Sequence, residues 1–278
     1  MLRWRTAGQR RTVDLVLSWL SRRKSWLAVA AAVLVLLSLV PPAGIYARRY
    51  VFAESLQFVV FATVVPALLV LGAPWRVLFP RRFSGPRAEG GDRAGRAARP
   101  QDRSGFPRGA AVLLVFIAVV IAWRLPVTVD ALATKPGLAV AEMVTLVAAG
   151  LALWLELVES PPLLPRLTRP LRATFAALAM WTIWILAYIL GFSHVAWFPA
   201  YVHPGGLSPV IDQEIATGIM WAVPALCFVP VVYVTALTWL RDSEDPDEAL
   251  RAMVQAQSEQ PKSGRWPRPP RGWNTHSA

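Results

Sequence analysis

The chain has 278 residues, 55% hydrophobic and 17% charged, with 13 Trp and a mean hydropathy of +0.43. A soluble domain carries about 25% charged residues, so this composition speaks against one and for an integral membrane protein. The single cysteine, Cys227, excludes an intrachain disulfide, a CxxC redox pair and a thiolate metal cluster.

Residues 1–25 form a basic segment with Arg3, Arg5, Arg10, Arg11, Arg22, Arg23 and Lys24 against Asp14. The apolar run Trp26 to Ala47 follows, broken late by Pro41-Pro42. A basic stretch before an apolar one also describes a signal peptide, but this basic stretch is long for that purpose, and a retained first span is expected. Val51 to Pro74 is almost uncharged and long enough for a crossing, which takes roughly 20 helical residues. Pro66 lies inside it and predicts a bend.

Residues 76–108 are rich in Gly, Pro and Arg without apolar periodicity and read as a flexible basic loop. Ala110 to Trp123 resumes as a third span, and 124–137 is a link. Leu138 to Val158 is a fourth span, and Leu171 to Gly191 a fifth. An aromatic-rich loop with His194 and His203 leads to a sixth helix ending near Leu240, which contains Pro224 and Pro230. Asp212 is placed to cap it. Residues 241–278 form an acidic, then Pro/Arg-rich tail. The expectation is an all-α polytopic membrane bundle of about six spans over residues 26–240.

Charge placement sets the expected sidedness. All of the 29 Lys and Arg except Arg48, Arg49, Arg124 and Lys135 fall on one side of six spans. The positive-inside rule puts both termini in the cytoplasm. The net +12 then means topology and contact with anionic lipid, with no nucleic acid partner expected.

Polar groups that topology does not require gather at the opposite, outer depth: Glu54 and Gln57, Asp130, Glu142, and Asp212 with Gln213 and Glu214. An ionisable residue in a membrane is costly and faces a bundle interior, a cavity or a partner. Met143 and Met220 carry soft sulfur, which suits Cu(I) but equally fills gaps in a core. Glu156, near the other surface, is placed to pair with Arg166 or Arg169. No GxSxG, P-loop, HExxH or His/Cys cluster occurs, so an enzyme is not expected.

Three stretches resemble the CtaG-type cytochrome c oxidase assembly factors. They are Glu54-Ser-Leu-Gln57-Phe58 leading to Pro66-Ala-Leu-Leu-Val-Leu-Gly72-Ala-Pro74, Trp123-Arg-Leu-Pro126 with Ala139 to Trp154, and Ser208-Pro-Val-Ile-Asp212-Gln213 through Met220-Trp221. The resemblance implies a polytopic factor that helps deliver copper to the oxidase, with oxidase or other respiratory-complex subunits as partners. Gln57, Pro66, Gly72, Pro74, Trp123, Asp212, Gln213 and Trp221 match the pattern as partner-facing or structural residues. The family's histidines have no counterpart here: their places fall at Glu54, Phe58, Arg124, Ala139 and Met143. Phe and Ala offer no donor and Arg only a cation. Two expectations follow: an altered metal site from Glu54, Asp130, Glu142, Asp212 and a methionine such as Met143, or a metal-free chaperone or structural subunit. A transporter or channel with Glu54, Glu142 and Glu156 as polar stations is the competing class.

Overall fold

The computed structural model describes residues 24–75, 105–160, 163–201 and 206–243. Most of the basic N-terminal segment, residues 76–104 of the loop, His203 and the tail beyond 243 lie outside the described residues. The helices are α1 (Lys24–Leu39), α2 (Ala43–Tyr46), α3 (Val51–Val59), α4 (Val65–Gly72), α5 (Gly105–Arg124), α6 (Pro126–Thr134), α7 (Pro136–Leu157), α8 (Arg169–Gly191) and α9 (Pro209–Ser243). No strand occurs among the described residues. The chain divides into a unit of residues 1–236 and a second of residues 237–278, of which 237–243 are described as the last turns of α9.

Five segments are long and apolar enough to cross a membrane: Val51–Gly72, Phe106–Arg124, Pro136–Leu157, Arg169–Gly191 and Pro209–Trp239. The protein is a multi-pass helical membrane protein. The first apolar run is shorter than its composition suggests, because α1 stops at Leu39, before the cis Pro41-Pro42 bond. Among the described residues its apolar helical part is Trp26–Leu39, shorter than the five segments above. The 124–137 connection, expected as a link, is largely the helix α6, which Pro126 opens at a position where its missing N–H costs nothing.

Proline sets much of the detail, through carbonyls that it leaves without their usual helical donor. Pro42 has no N–H for the Ser38 carbonyl, and the Gln57 side-chain amide donates to that carbonyl from α3. Gly44 lets the turn fold back there, since a Cβ on it would sit 2.8 Å from the Leu39 carbonyl oxygen. Pro74 likewise has no N–H for the Val70 carbonyl, and the Ser160 hydroxyl donates to it at 2.7 Å. Ala73, before Pro74, ends α4 in the left-handed region at φ 44°.

Pro66 is accommodated in the second span by a different route. A π-helical turn over Val60–Val64 joins α3 to α4, widening the helix by one residue just where the proline ring would meet the Ala62 carbonyl. Gly150 of α7 packs against this turn. A Cβ there would lie 2.5 Å from the Ala62 oxygen and 2.6 Å from Pro66 Cγ. α7 is thus the central strut, packed on α4, the π turn, α5 and α8.

In lipid the tails are as apolar as leucine, so close packing of small residues joins helices. Ala31, Ala62, Ala149, Ala176, Ala179, Ala187 and Ala216 are accordingly buried, around Phe58, Phe61, Phe116, Leu146, Leu153 and Trp154. Larger apolar side chains such as Leu114, Val144, Ile185 and Leu226 face outward.

Candidate functional site

The start of α3, the end of α5 and the starts of α7 and α9 meet at one end of the bundle. Glu54 is the fourth residue of α3 and Arg124 the last of α5, and their side chains form an ion pair with each only 3% exposed. Arg124 Nη1 also donates to Ser55 Oγ at 3.0 Å and approaches Met220 Sδ at 3.8 Å. Its guanidinium carbon stands 4.1 Å from the centroid of the Phe58 ring, one turn along from Glu54. A planar cation suits this combination of carboxylate, hydroxyl and ring face.

Glu142, seventh residue of α7, is buried beside the pair, and its Oε1 has no hydrogen-bond partner. The guanidinium pairs with Glu54, and the Glu142 carboxyl is hydrogen-bonded to that of Glu54. A cavity of about 180 Å³ opens against them, with Glu54, Gln57, Glu142, Ser38, Arg48 and Ala139 among its lining residues.

Asp212 and Gln213 build the frame. Asp212 is fully buried and accepts the backbone amides of Val51 at 2.7 Å and Phe52 at 2.8 Å. It therefore caps α3 across 161 positions of sequence, where the spacing suggested that it would cap its own helix. Gln213 accepts from the Trp197 amide at 3.0 Å and donates to the Leu190 carbonyl at 2.9 Å, tying the 192–201 segment to the start of α9. Asp130 accepts from the Ala200 amide at 3.3 Å. Tyr201 donates to the Val129 carbonyl at 3.3 Å, and burial, followed by the nearby Glu54 carboxylate, pushes its phenol above the ordinary value.

The remaining sequence candidates lie elsewhere. Trp123 Nε1 donates to Thr145 Oγ1 at 2.8 Å, and the Trp221 carbonyl accepts from Trp184 Nε1 at 3.0 Å while the two indoles stack. Pro66, Gly72 and Pro74 shape the second span as described above, and Met143 is half-buried against the core. His194 is exposed. Glu156, at the far end of α7, pairs with the Arg108 side chain at 3.4 Å and accepts the Arg166 backbone amide at 3.2 Å. Arg108 is thus the pairing cation in place of the arginines expected, Arg166 and Arg169. Leu146, Ala149 and Leu153 fill the α7 face between Glu142 and Glu156, so the carboxylates do not line one polar path.

Ser55 is the site residue that sequence reasoning passed over, and the pairing of Arg124 with Glu54 over the Phe58 ring is the arrangement that it did not foresee. Arg124 counted as a connecting residue, although as a cation on the sparsely charged side, at the depth of two carboxylates, it carried its own signal.

A model of the cytochrome c oxidase caa3 assembly factor family (Caa3_CtaG) matches residues 1–242. The chain belongs to this family. No curated protein and no solved structure matches it. The copper that the Caa3_CtaG resemblance implies can be tested against the donors in place. Glu54 is taken by Arg124, Asp130 and Asp212 by backbone amides, and a guanidinium stands at the centre. Among the described residues no group of three or more His, Cys, Asp or Glu is arranged to hold a metal ion. These residues do not fit copper, which prefers imidazole or sulfur donors in an open coordination sphere.

Proposed function

We propose that the protein serves cytochrome c oxidase assembly as a metal-free membrane chaperone that holds an oxidase subunit and does no catalysis. The observation that carries this reading is the convergence of Glu54, Phe58 and Arg124, the places of the family's histidines, into a buried ion pair over an aromatic ring. A fixed cation occupies that centre and is held by bonds that no exchangeable ion has to supply.

The charge distribution supports an orientation with both termini in the cytoplasm of a bacterial inner membrane and the Glu54 end on the opposite face. The basic segments would then rest on anionic lipid at the cytoplasmic surface. Asp212 and Gln213, by tying α3 and the 192–201 segment to α9, offer a rigid rim to the outer ends of a partner's helices.

The test is a strain lacking the protein, with assembled oxidase read from its haem spectrum and partners identified by co-purification in mild detergent. Restoration by the wild type and capture of an oxidase subunit are expected, with no specific copper in protein supplied with Cu(I). Near-stoichiometric copper that falls in Glu142→Ala and Met143→Ala would overturn the metal-free reading, and capture of no respiratory subunit would overturn the partner.

A further inference from the structure

The outer end of the bundle carries few cations, and their places are not scattered. Charge placement assigns Arg48, Arg49, Arg124 and Lys135 to that side. Arg124 is held inside the bundle by Glu54. Arg48 lines the cavity at the Glu54 end, Arg49 follows it in the chain, and Lys135 precedes Pro136, which lines the cavity too. Among the described residues, the side chains of Arg48, Arg49 and Lys135 have no hydrogen-bond or ion-pair partner. The carboxyls beside the cavity do not offset these cations. Glu54 is paired with Arg124, Glu142 is hydrogen-bonded to Glu54, and each residue is 2% exposed. The charge that the cavity presents is therefore the half-buried guanidinium of Arg48.

The rest of the wall is largely apolar, with Leu39, Leu132, Ala139 and Val140. Val140 is 51% exposed in a membrane-crossing helix, which sets the cavity beside lipid-facing side chains. Tyr46 and Tyr50, on either side of the two arginines, stack at 5.9 Å, and amphipathic aromatics of this kind sit at headgroup level. At about 180 Å³ the space lies below the roughly 300–1,000 Å³ of pockets for drug-sized ligands. It takes one end of a molecule whose remainder lies in the bilayer.

We propose that this cavity binds an anionic phospholipid of the outer leaflet, with the phosphodiester on Arg48 and an acyl chain along Val140. The planar fork of a guanidinium matches two phosphate oxygens. Arg49 and Lys135, next to wall residues, add positive charge that a net negative headgroup complements and that repels the ammonium of a zwitterionic one. Such a site is a cavity on the face opposite the basic segments that rest on cytoplasmic lipid. Lipid retention is measured with no partner protein, so it stands apart from the oxidase reading.

The experiment is native mass spectrometry of the purified full chain in detergent with phosphatidylglycerol, phosphatidylethanolamine or phosphatidylcholine of matched chains, and with soluble glycerol phosphate in a separate arm. Phosphatidylglycerol is expected to be held most tightly, and Arg48→Gln should lower its retention about five-fold, the factor that one Lys or Arg beside an anionic headgroup supplies. Arg3→Gln removes the same charge from the basic N-terminal segment and should lower it less. Ala139→Leu fills the cavity, keeps every charge and should lower retention as Arg48→Gln does. Equal retention of the three lipids, equal losses in Arg48→Gln and Arg3→Gln, or retention unchanged in Ala139→Leu would overturn the proposal. Soluble glycerol phosphate held as tightly as phosphatidylglycerol would overturn the lipid as its source. Unchanged lipid retention in Arg48→Gln together with loss of a captured oxidase subunit would overturn the lipid in favour of an acidic partner segment.

Discussion

Two charges taken out of water depend on each other, and Glu54 and Arg124 are each 3% exposed. Truncating one partner leaves the other buried without its counter-ion, at a cost of about 3–5 kcal/mol. Arg124→Ala is therefore expected to unfold well below the wild type in detergent, and Glu54→Leu/Arg124→Leu together should recover much of the loss. Additive losses in that double variant would remove the pair as the source of the effect. Arg124→Lys keeps the charge but loses the planar contact with Phe58 and the fork that reaches Ser55, so only partial stability is expected. Tyr201 adds a pH dependence. Its phenol is held above the ordinary value of about 10, so above that pH the unfolded chain releases a proton that the native one keeps. Stability contributed by Tyr201 is present below that pH and declines as pH rises through the folded value. Tyr201→Phe, measured by alkaline unfolding, should decline less steeply.

At the level of the helices, proline decides where neighbours are needed. Ser160 and Gln57 each donate to a carbonyl that has lost its regular donor to a proline four residues on. Ser160→Ala should cost about 1–3 kcal/mol, the range for leaving a buried acceptor without a partner; a melting curve that does not move would show that the Val70 carbonyl finds another donor. Gly150 marks the closest approach of α7 to the π turn. Gly150→Ala places a methyl against the Ala62 carbonyl, which is backbone and cannot rotate away, and overpacking of this kind costs about 1–3 kcal/mol. A neutral result by thermal unfolding would mean that the two elements separate more easily than their packing suggests. Asp212→Ala should loosen the start of α3 by about 0.5–2 kcal/mol, the range for a lost N-cap, read as faster amide exchange at Val51 and Phe52.

For the molecule as a whole, the sidedness inferred from charge is open to direct labelling. Cysteines introduced at Arg49 and Lys135, in a Cys227→Ser background, should react with a membrane-impermeant thiol reagent added outside intact cells. Cysteines within residues 76–104 should react only after the cells are opened. Labelling of both sets from one side would remove the topology on which the outer placement of the Glu54 end rests. The same experiment tests the first helix as a span, because only a crossing before Arg49 puts that residue opposite the N-terminus.

Composition and hydropathy were enough for the class of fold, since a bilayer of fixed thickness demands long uncharged runs and lipid-facing side chains need no partner in sequence. The depth of the polar groups was legible for the same reason: position along a span is position across the membrane. Which of those groups touch was not legible, because helix rotation and crossing are set by packing between distant segments. Glu54 meets Arg124 across 70 positions, Asp212 caps α3 from 161 positions away, and Glu156 takes Arg108 in place of the nearer arginine side chains. Local spacing could show that Pro42 and Pro74 strip carbonyls of their donors, but only the tertiary arrangement decided that Gln57 and Ser160 would supply them.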